Sequence, residues 1–245
     1  MNVEIKDYER VDDLHRNGYM LIQDPKRFCF GVDAVLLSGF ATAKKGDKVL
    51  DLGTGTGIIP ILMSAKTKAE HFSALEIQPE SAEMARRSVL LNDLQDKIDI
   101  VEGDIKKAAE IFKPSYFDVI TTNPPYMNFE GGLKNNFDPK TIARHEVLCS
   151  LDDIAAAAQR LLKFGGHFFM VHRPHRLTDI MCILREHKIE PKKIRFVQPY
   201  LNREPNMVLI EGVRSGKPMV KVMPTLVIYK DDGTYTDEII DIYYN

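Results

Sequence analysis

Tryptophan is absent from the 245 residues, and cysteine occurs only at Cys29, Cys149 and Cys182. Three cysteines, far apart and outside any C-x-x-C spacing, set aside a disulfide framework and a zinc or other metal site, and read as buried or unreactive thiols. No apolar run approaches the roughly 20 residues needed to cross a bilayer. The opening Met1 to Val11 alternates charged and apolar residues and lacks the basic and apolar regions of a signal peptide, so a cytoplasmic protein with no membrane contact is expected. An excess of charge is missing too. With 33 Lys and Arg against 35 Asp and Glu, the net charge is −2, which argues against a surface coated in positive charge. Internal repeats and low-complexity tracts are absent.

The chain has length enough for one large domain, or one domain with an appendage, around a core that needs no staples. Its charge is unevenly placed: Arg160 to Lys221 holds thirteen Lys or Arg against five Asp or Glu, a local balance of +8, and the remainder sums to −10. That stretch includes Arg173, Arg176, Lys192, Lys193 and Arg195. Gathered on one surface they would engage phosphates; spread over opposite faces they would be solvated ions.

Two segments ahead of the first clear strand read as helices: a short one near Asp7 to Asn17, and one from Asp33 to Ala43 with Asp33 as a possible cap. Lys48 to Leu52 is a short buried strand running into glycines. Strand-like and helix-like stretches then alternate: helix from Ile58 to Lys66, strand from Phe72 to Glu76, helix from Pro79 to Asn92, strand from Ile98 to Glu102, helix from Ile105 to Phe112, strand from Tyr116 to Thr122. This is the pattern of βαβ units on a parallel sheet. A polar stretch from Met127 to Cys149 breaks the rhythm and reads as a substrate-facing loop. Helices from Leu151 to Leu162 and Pro174 to His187 follow, with strands at His167 to Val171, Ile194 to Gln198 and Met207 to Glu211, the last two as antiparallel neighbours. The tail reads as a strand at Thr225 to Tyr229, a turn and an acidic end. Three regions result: 1–45, a helical segment packing on the cofactor site; 46–213, the main α/β domain; and 214–245, the tail.

Asp51-Leu52-Gly53-Thr54-Gly55-Thr56-Gly57 follows a strand and opens a helix, where an open parallel sheet binds nucleotide-like ligands. Glycine is required where backbone must approach a ligand or adopt positive φ. The dinucleotide pattern G-x-G-x-x-G would put glycine at Ile58 and is broken, which argues against a pyrophosphate ligand. Glu76 ends the second strand of the series, where a carboxylate can accept hydrogen bonds from both ribose hydroxyls of an adenosine. Asp104, after the third, is a candidate acceptor for an adenine amino group, or simply a turn residue.

Asn123-Pro124-Pro125-Tyr126 follows the fourth strand and so belongs at the same sheet edge. Two prolines stiffen the peptide and bias Asn123 toward extended geometry. The Asn123 amide oxygen and the Pro124 carbonyl form a pair of acceptors suited to both N–H groups of a planar, conjugated amine, and Tyr126 to stacking on its ring. Catalysis would then be alignment and stabilisation of developing charge, without a catalytic His or Cys.

With these residues the chain resembles the class I methyltransferases that methylate amino groups, and more narrowly the bacterial tRNA(Val) adenine-N6 methyltransferases. The resemblance is carried by Phe28-Cys29-Phe30-Gly31-Val32-Asp33, by the D-x-G-x-G-x-G turn, by Asn123 to Tyr126 and by Ala143-Arg144-His145-Glu146, and extends from about Tyr19 to Gly212. It implies a Rossmann-like α/β fold: a seven-stranded, mostly parallel sheet with one antiparallel strand and helices on both faces. It implies S-adenosylmethionine bound by Asp51, Gly53, Thr54, Gly55, Gly57, Glu76, Ile77, Asp104, Ile105 and Asn123, and an adenine flipped out of its stack onto Asn123, Pro124 and Tyr126. Asp33 would approach the methionine end of the cofactor or cap its helix. Arg144 would contact a phosphate, close the loop or form a surface ion pair; Pro125, Arg173 and Arg176 are further candidates for substrate contact. The implied partner is nucleic acid, tRNA first, with no obligate protein partner. The same peptide also serves methylation of protein glutamine, DNA adenine and, in a Phe variant, ribosomal guanine-N2. A non-catalytic S-adenosylmethionine- or RNA-binding module is the alternative of another class.

Overall fold

The computed structural model describes residues 3–27, 29–125 and 149–244. A central sheet takes β3 (Lys48–Leu52), β4 (His71–Glu76), β5 (Ile98–Glu102), β6 (Phe117–Thr122), β7 (Leu162–His172), β8 (Ile189–Gln198) and β9 (Met207–Arg214) in the order β8-β9-β7-β6-β3-β4-β5. The five strands from β5 to β7 are parallel, and β9 runs antiparallel to both β7 and β8. The order reverses at β3, between β4 and β6. That is the switch point at which open α/β sheets bind ligands beyond the carboxyl ends of their strands.

Side-chain alternation along the strands builds two cores. Val49, Val119, Phe169 and Val171 face α1 (Val32–Phe40) and α2 (Ile58–Lys66), with Leu36, Leu37, Ile61 and Leu62. Leu50, Ile120, Phe168 and Met170 face α5 (Leu151–Leu161) and α6 (Leu177–Glu186), with Ile154, Leu161, Ile180 and Leu184. Helix α3 (Pro79–Leu91) lies between β4 and β5 in the chain, and a 3-10 turn at Ile105–Lys107 leads into the short α4 (Ala108–Ile111). Pro60 sits in the first turn of α2, where its missing N–H costs nothing. Helix α5 opens with a capping box: the Ser150 hydroxyl accepts from the Asp153 amide at 3.1 Å, and the Asp153 carboxylate accepts from the Ser150 amide at 2.9 Å.

Near Asp7 to Asn17 the structure has no helix. It forms the antiparallel hairpin β1 (Arg10–Asp13) and β2 (Met20–Gln23), turned at Asn17-Gly18, both with positive φ. Tertiary contacts decide it. Leu21 and Ile22 are fully buried, the Ile22 amide donates to Ser88 of α3, and the Asn92 side chain bonds both the amide and the carbonyl of Met20. Arg87 of α3 forks onto Glu9 (2.6 Å) and Glu83 (2.7 Å), fastening the segment ahead of the hairpin.

Beyond β9, the two-residue strands β10 (Lys221–Val222) and β11 (Leu226–Val227) pair in parallel with β8, bringing the sheet to nine strands rather than the expected seven. The acidic end of the tail is helix α7 (Asp237–Tyr244), which packs on α1: Ile239 is fully buried, and a Cβ added at Gly39 would stand 2.8 Å from Ile242. Among the described residues no helix is long and apolar enough to cross a membrane.

Candidate active site

The glycine turn is wired to the end of β4. The amides of Gly53 and Thr54 both donate to the Leu75 carbonyl, at 2.9 and 3.0 Å. The Gly55 amide donates to one Glu76 oxygen at 2.8 Å and the Gln78 amide to the other at 2.9 Å. Glu76 is 4% exposed and is thereby fixed at the sheet edge. Gly53, Gly55 and Gly57 have φ of 73°, 59° and 88°, the left-handed region that favours glycine. A Cβ at Gly55 would meet nothing within 4 Å, and one at Gly53 would meet only Ile105 at 3.9 Å, so open space lies above the turn. Ile105 faces Gly53 across it, and Ile77 is an exposed apolar residue beside Glu76.

Beneath the turn, Asp51 is fully buried, and its Oδ1 accepts from Thr121 Oγ1 of β6 at 2.6 Å. Burial pushes its carboxyl up to about 6 despite that hydrogen bond. The next residue of β6, Thr122, donates its hydroxyl to the Leu52 carbonyl at 2.9 Å, which sets Asn123 beside the glycine turn. Pro124 is buried and Pro125 exposed. At this site three buried side-chain atoms have no hydrogen-bond partner among the described residues: Asp51 Oδ2, Thr54 Oγ1 and Asn123 Oδ1. Orphaned polar atoms of this kind are rare in folded proteins and mark a place for a polar ligand.

Several expectations change on contact with the structure. Gly31, not Asp33, is the N-cap of α1; Asp33 lies in the first turn, nearly buried, with its Oδ1 accepting from the Ala34 amide. Asp104 caps the 3-10 turn, accepting from the Lys106 amide at 2.9 Å, so its turn role is realised. Tyr126 and Arg144 lie outside the described residues. Cys182 is exposed rather than buried, whereas burial, with Asp153 and Asp104 nearby, pushes the Cys149 thiol up to about 12. The sequence reading missed Thr121, Thr122 and His172. The last ends β7 at 2% exposure, and burial and Arg176 pull it down to about 4, so it is neutral.

Five cations of the basic stretch are answered by carboxylates of the protein itself. Lys163 pairs with Asp118 (2.7 Å), Arg176 with Asp179 (2.9 Å), Arg185 with Glu190 (3.2 Å), Lys193 with Glu211 (2.6 Å) and Arg195 with Glu238 (2.6 Å). Arg214 donates to Ser115 and to the Leu162 carbonyl. Arg173 and Arg176 follow β7 at the same sheet edge as Asn123, and Arg173 donates to the Asn206 carbonyl at 3.0 Å.

A nucleotide-type turn, an acidic residue at the next strand end and an Asn-Pro-Pro peptide at the switch point of a sheet with a reversed strand define a class I methyltransferase. The model of the methyltransferase small domain family matches residues 30–187, and the chain belongs to that family. A tRNA1(Val) (adenine(37)-N6)-methyltransferase of Phocaeicola vulgatus is 31% identical over 180 residues, covering 74% of each chain. The enzyme of the same name from Aeromonas hydrophila is 27% identical over 214 residues, covering 86% of this chain and 87% of its own. Among solved structures, a predicted O-methyltransferase from Agrobacterium tumefaciens superposes with a TM-score of 0.70 at 21% identity, over 86% of this chain and 95% of that one, a likeness of fold. The methyl donor of a class I methyltransferase is S-adenosylmethionine, and the residues present fit it: three orphaned polar atoms and a glycine cradle with open space above.

Proposed function

We propose that this protein transfers the methyl group of S-adenosylmethionine to the N6 amino nitrogen of adenine in tRNA, acting in the cytoplasm. The observation that carries the reading is Asn123 Oδ1, buried and without a partner among the described residues, at the end of the strand beside the glycine turn. An amide oxygen left unsatisfied there is matched by the N–H of a planar amine, and the adjacent Pro124 carbonyl is the second acceptor. Held by both, the amine nitrogen is drawn from planarity toward tetrahedral geometry, which frees its lone pair. As charge develops on it, the two fixed dipoles stabilise that charge without reorganising. The proton is lost to solvent afterwards. When bound, the cofactor supplies an electrophilic methyl group on a sulfonium.

In this reading Glu76 takes the ribose hydroxyls. Ile77 and Ile105 flank the adenine of the cofactor, with Asp104 at its amino group. Gly53, Thr54, Gly55 and Gly57 let the backbone approach, with Asp51 and Asp33 toward the methionine end. Pro125, Tyr126 and Arg144 face the substrate, and Arg173 and Arg176 meet its phosphates. The cofactor domain spans 46–213, with 1–45 and 214–245 packed against it. Support for adenine and tRNA comes from the names of the relatives together with the two-acceptor peptide.

The test incubates the protein and labelled cofactor separately with unmodified total tRNA, ribosomal RNA, DNA and a release factor, and identifies products by nucleoside and peptide mass spectrometry. N6-methyladenosine in tRNA is the expected product. Methylated glutamine, methylguanosine or N6-methyladenine in DNA would replace the substrate assignment.

A further inference from the structure

Where the tail crosses the outer edge of β8, four tyrosines form a row. Ring centroids lie 5.4 Å apart from Tyr200 to Tyr229, 5.4 Å from Tyr229 to Tyr235 and 5.5 Å from Tyr235 to Tyr243. The last two pairs are stacked, at 16° and 19°, and the first is tilted at 34°. The backbone sets this spacing. The Tyr229 amide donates to the Pro199 carbonyl at 2.9 Å, which brings it beside Tyr200, and Tyr229 faces Tyr235 across an antiparallel bridge. Tyr229, Tyr235 and Tyr243 pack on the core that α1 and α2 cover, whereas Tyr200 belongs to neither core. Among the described residues Tyr229 is the one ring against Tyr200, which is therefore backed on one face and ends the row.

The row ends at the sheet edge that holds the active site. Strand β8 runs antiparallel to β9, and β9 antiparallel to β7, so β8 shares the direction of β6, and its last residue, Gln198, lies at the edge of Asn123. The two strands are three spacings apart, about 14 Å. The loop that follows β8 is fixed. The Arg203 amide donates to the Tyr200 carbonyl at 3.1 Å, and the Gln198 side chain to the Leu201 carbonyl at 2.9 Å. Arg173, which follows β7, reaches across to the Asn206 carbonyl at 3.0 Å. Leu201, next to Tyr200, is 77% exposed, an apolar side chain left in water. A ring already held from behind loses little freedom when a planar partner arrives, and every base has a face that can stack on it.

We propose that Tyr200, backed by Tyr229, is a stacking platform for an unpaired base of the RNA substrate that flanks the target adenine, with Leu201 against the edge of that base. The inference rests on the RNA reading above and adds a second contact surface to it. Flipping one adenine into the site deprives its neighbours of a stacking partner, and a fixed ring on the same edge replaces it. Arg173 follows the strand between and meets the backbone that joins the two bases. Tyr200 thus selects for an unpaired segment around the target, because a base held in a duplex cannot lie on it.

The experiment measures tRNA methylation rates for the parent, Tyr200→Leu, Tyr200→Phe and Tyr244→Leu, with melting temperature and S-adenosylhomocysteine affinity alongside. Tyr200→Leu keeps apolar bulk and loses the aromatic face. Its KM for tRNA should rise roughly 5- to 150-fold, the loss of one base–ring stack, while kcat changes far less. Tyr200→Phe keeps the face and should keep the parental KM. Tyr244→Leu, at the far end of α7, should also keep it, which separates a contact to RNA from a general loosening of the tail. Because Tyr200 lies in a loop and in neither core, its variants should melt with the parent, and cofactor affinity should be the same in all four. A parent active on tRNA whose KM is unmoved in Tyr200→Leu, or raised as much in Tyr200→Phe or Tyr244→Leu, overturns the platform and leaves the methyl-acceptor reading standing. A parent that methylates no RNA removes both. Sedimentation of the same proteins adds a further outcome: a dimer that Tyr200→Leu dissolves would give the ring to a second copy of the chain and overturn the platform.

Discussion

Asp51 of β3 and Thr121 of β6 meet beneath the glycine turn in a 2.6 Å hydrogen bond, and this contact joins the two halves of the site. One residue on, Thr122 bonds the Leu52 carbonyl, so Asn123 cannot move relative to the turn unless β3 and β6 part. The strand pair that holds the methyl donor also aims the acceptor peptide.

Buried and raised to about 6 from an ordinary 3.8, Asp51 makes stability depend on pH. Between those values the folded chain holds a proton that the unfolded chain has released. Stability without cofactor therefore falls as pH rises through that window and is flat above it, a loss on the order of 3 kcal/mol. Asp51→Asn should abolish that slope in urea titrations and be at least as stable at pH 7, yet bind S-adenosylhomocysteine more weakly. A slope that survives the substitution would assign it to another group.

Asn123→Ala removes an acceptor required only as charge develops on the amine. Turnover should fall roughly 100-fold or more while S-adenosylhomocysteine affinity stays within a few fold. An active alanine variant would refute the role given to Asn123.

Gly55→Ala separates backbone strain from ligand space. With φ at 59° and nothing within 4 Å of the added Cβ, the cost to folding should be about 1–2 kcal/mol. The methyl group would stand in the space above the turn, and cofactor affinity, read by calorimetry, should fall roughly tenfold or more, beyond what so small a change in stability explains.

Arg87→Ala tests the fastening of the N-terminal segment. It leaves Glu9, whose side chain is 1% exposed, buried without its counter-ion, which should cost about 3 kcal/mol in chemical unfolding. Glu9→Gln in the same background should restore part of it.

Much of this was legible in the chain. The glycine turn, Glu76 and Asn123 are each read from a strand end followed by a distinctive peptide, and parallel topology then requires them to share one edge. Alternation near Arg10 to Asp13 carries a single apolar residue, too little to signal a strand. That hairpin exists because Leu21 and Ile22 find α3, a contact between segments more than sixty residues apart. Thr121 was invisible for the same reason: its partner lies 70 positions away. In the tail the strand and turn are realised as β11 and the turn after Lys230, while β10 is not legible because a two-residue strand leaves no period.

The basic stretch has a consequence for association with a polyanion. Lys163, Arg176, Arg185, Lys193 and Arg195 already neutralise carboxylates of the protein itself. At most eight of the thirteen cations are then available to displace counterions from a nucleic acid, so log affinity should fall less steeply with log salt than the full count of thirteen would give. Recognition would depend less on long-range attraction than on fit at the site, and the protein would discriminate among RNAs of equal charge instead of adhering to all of them.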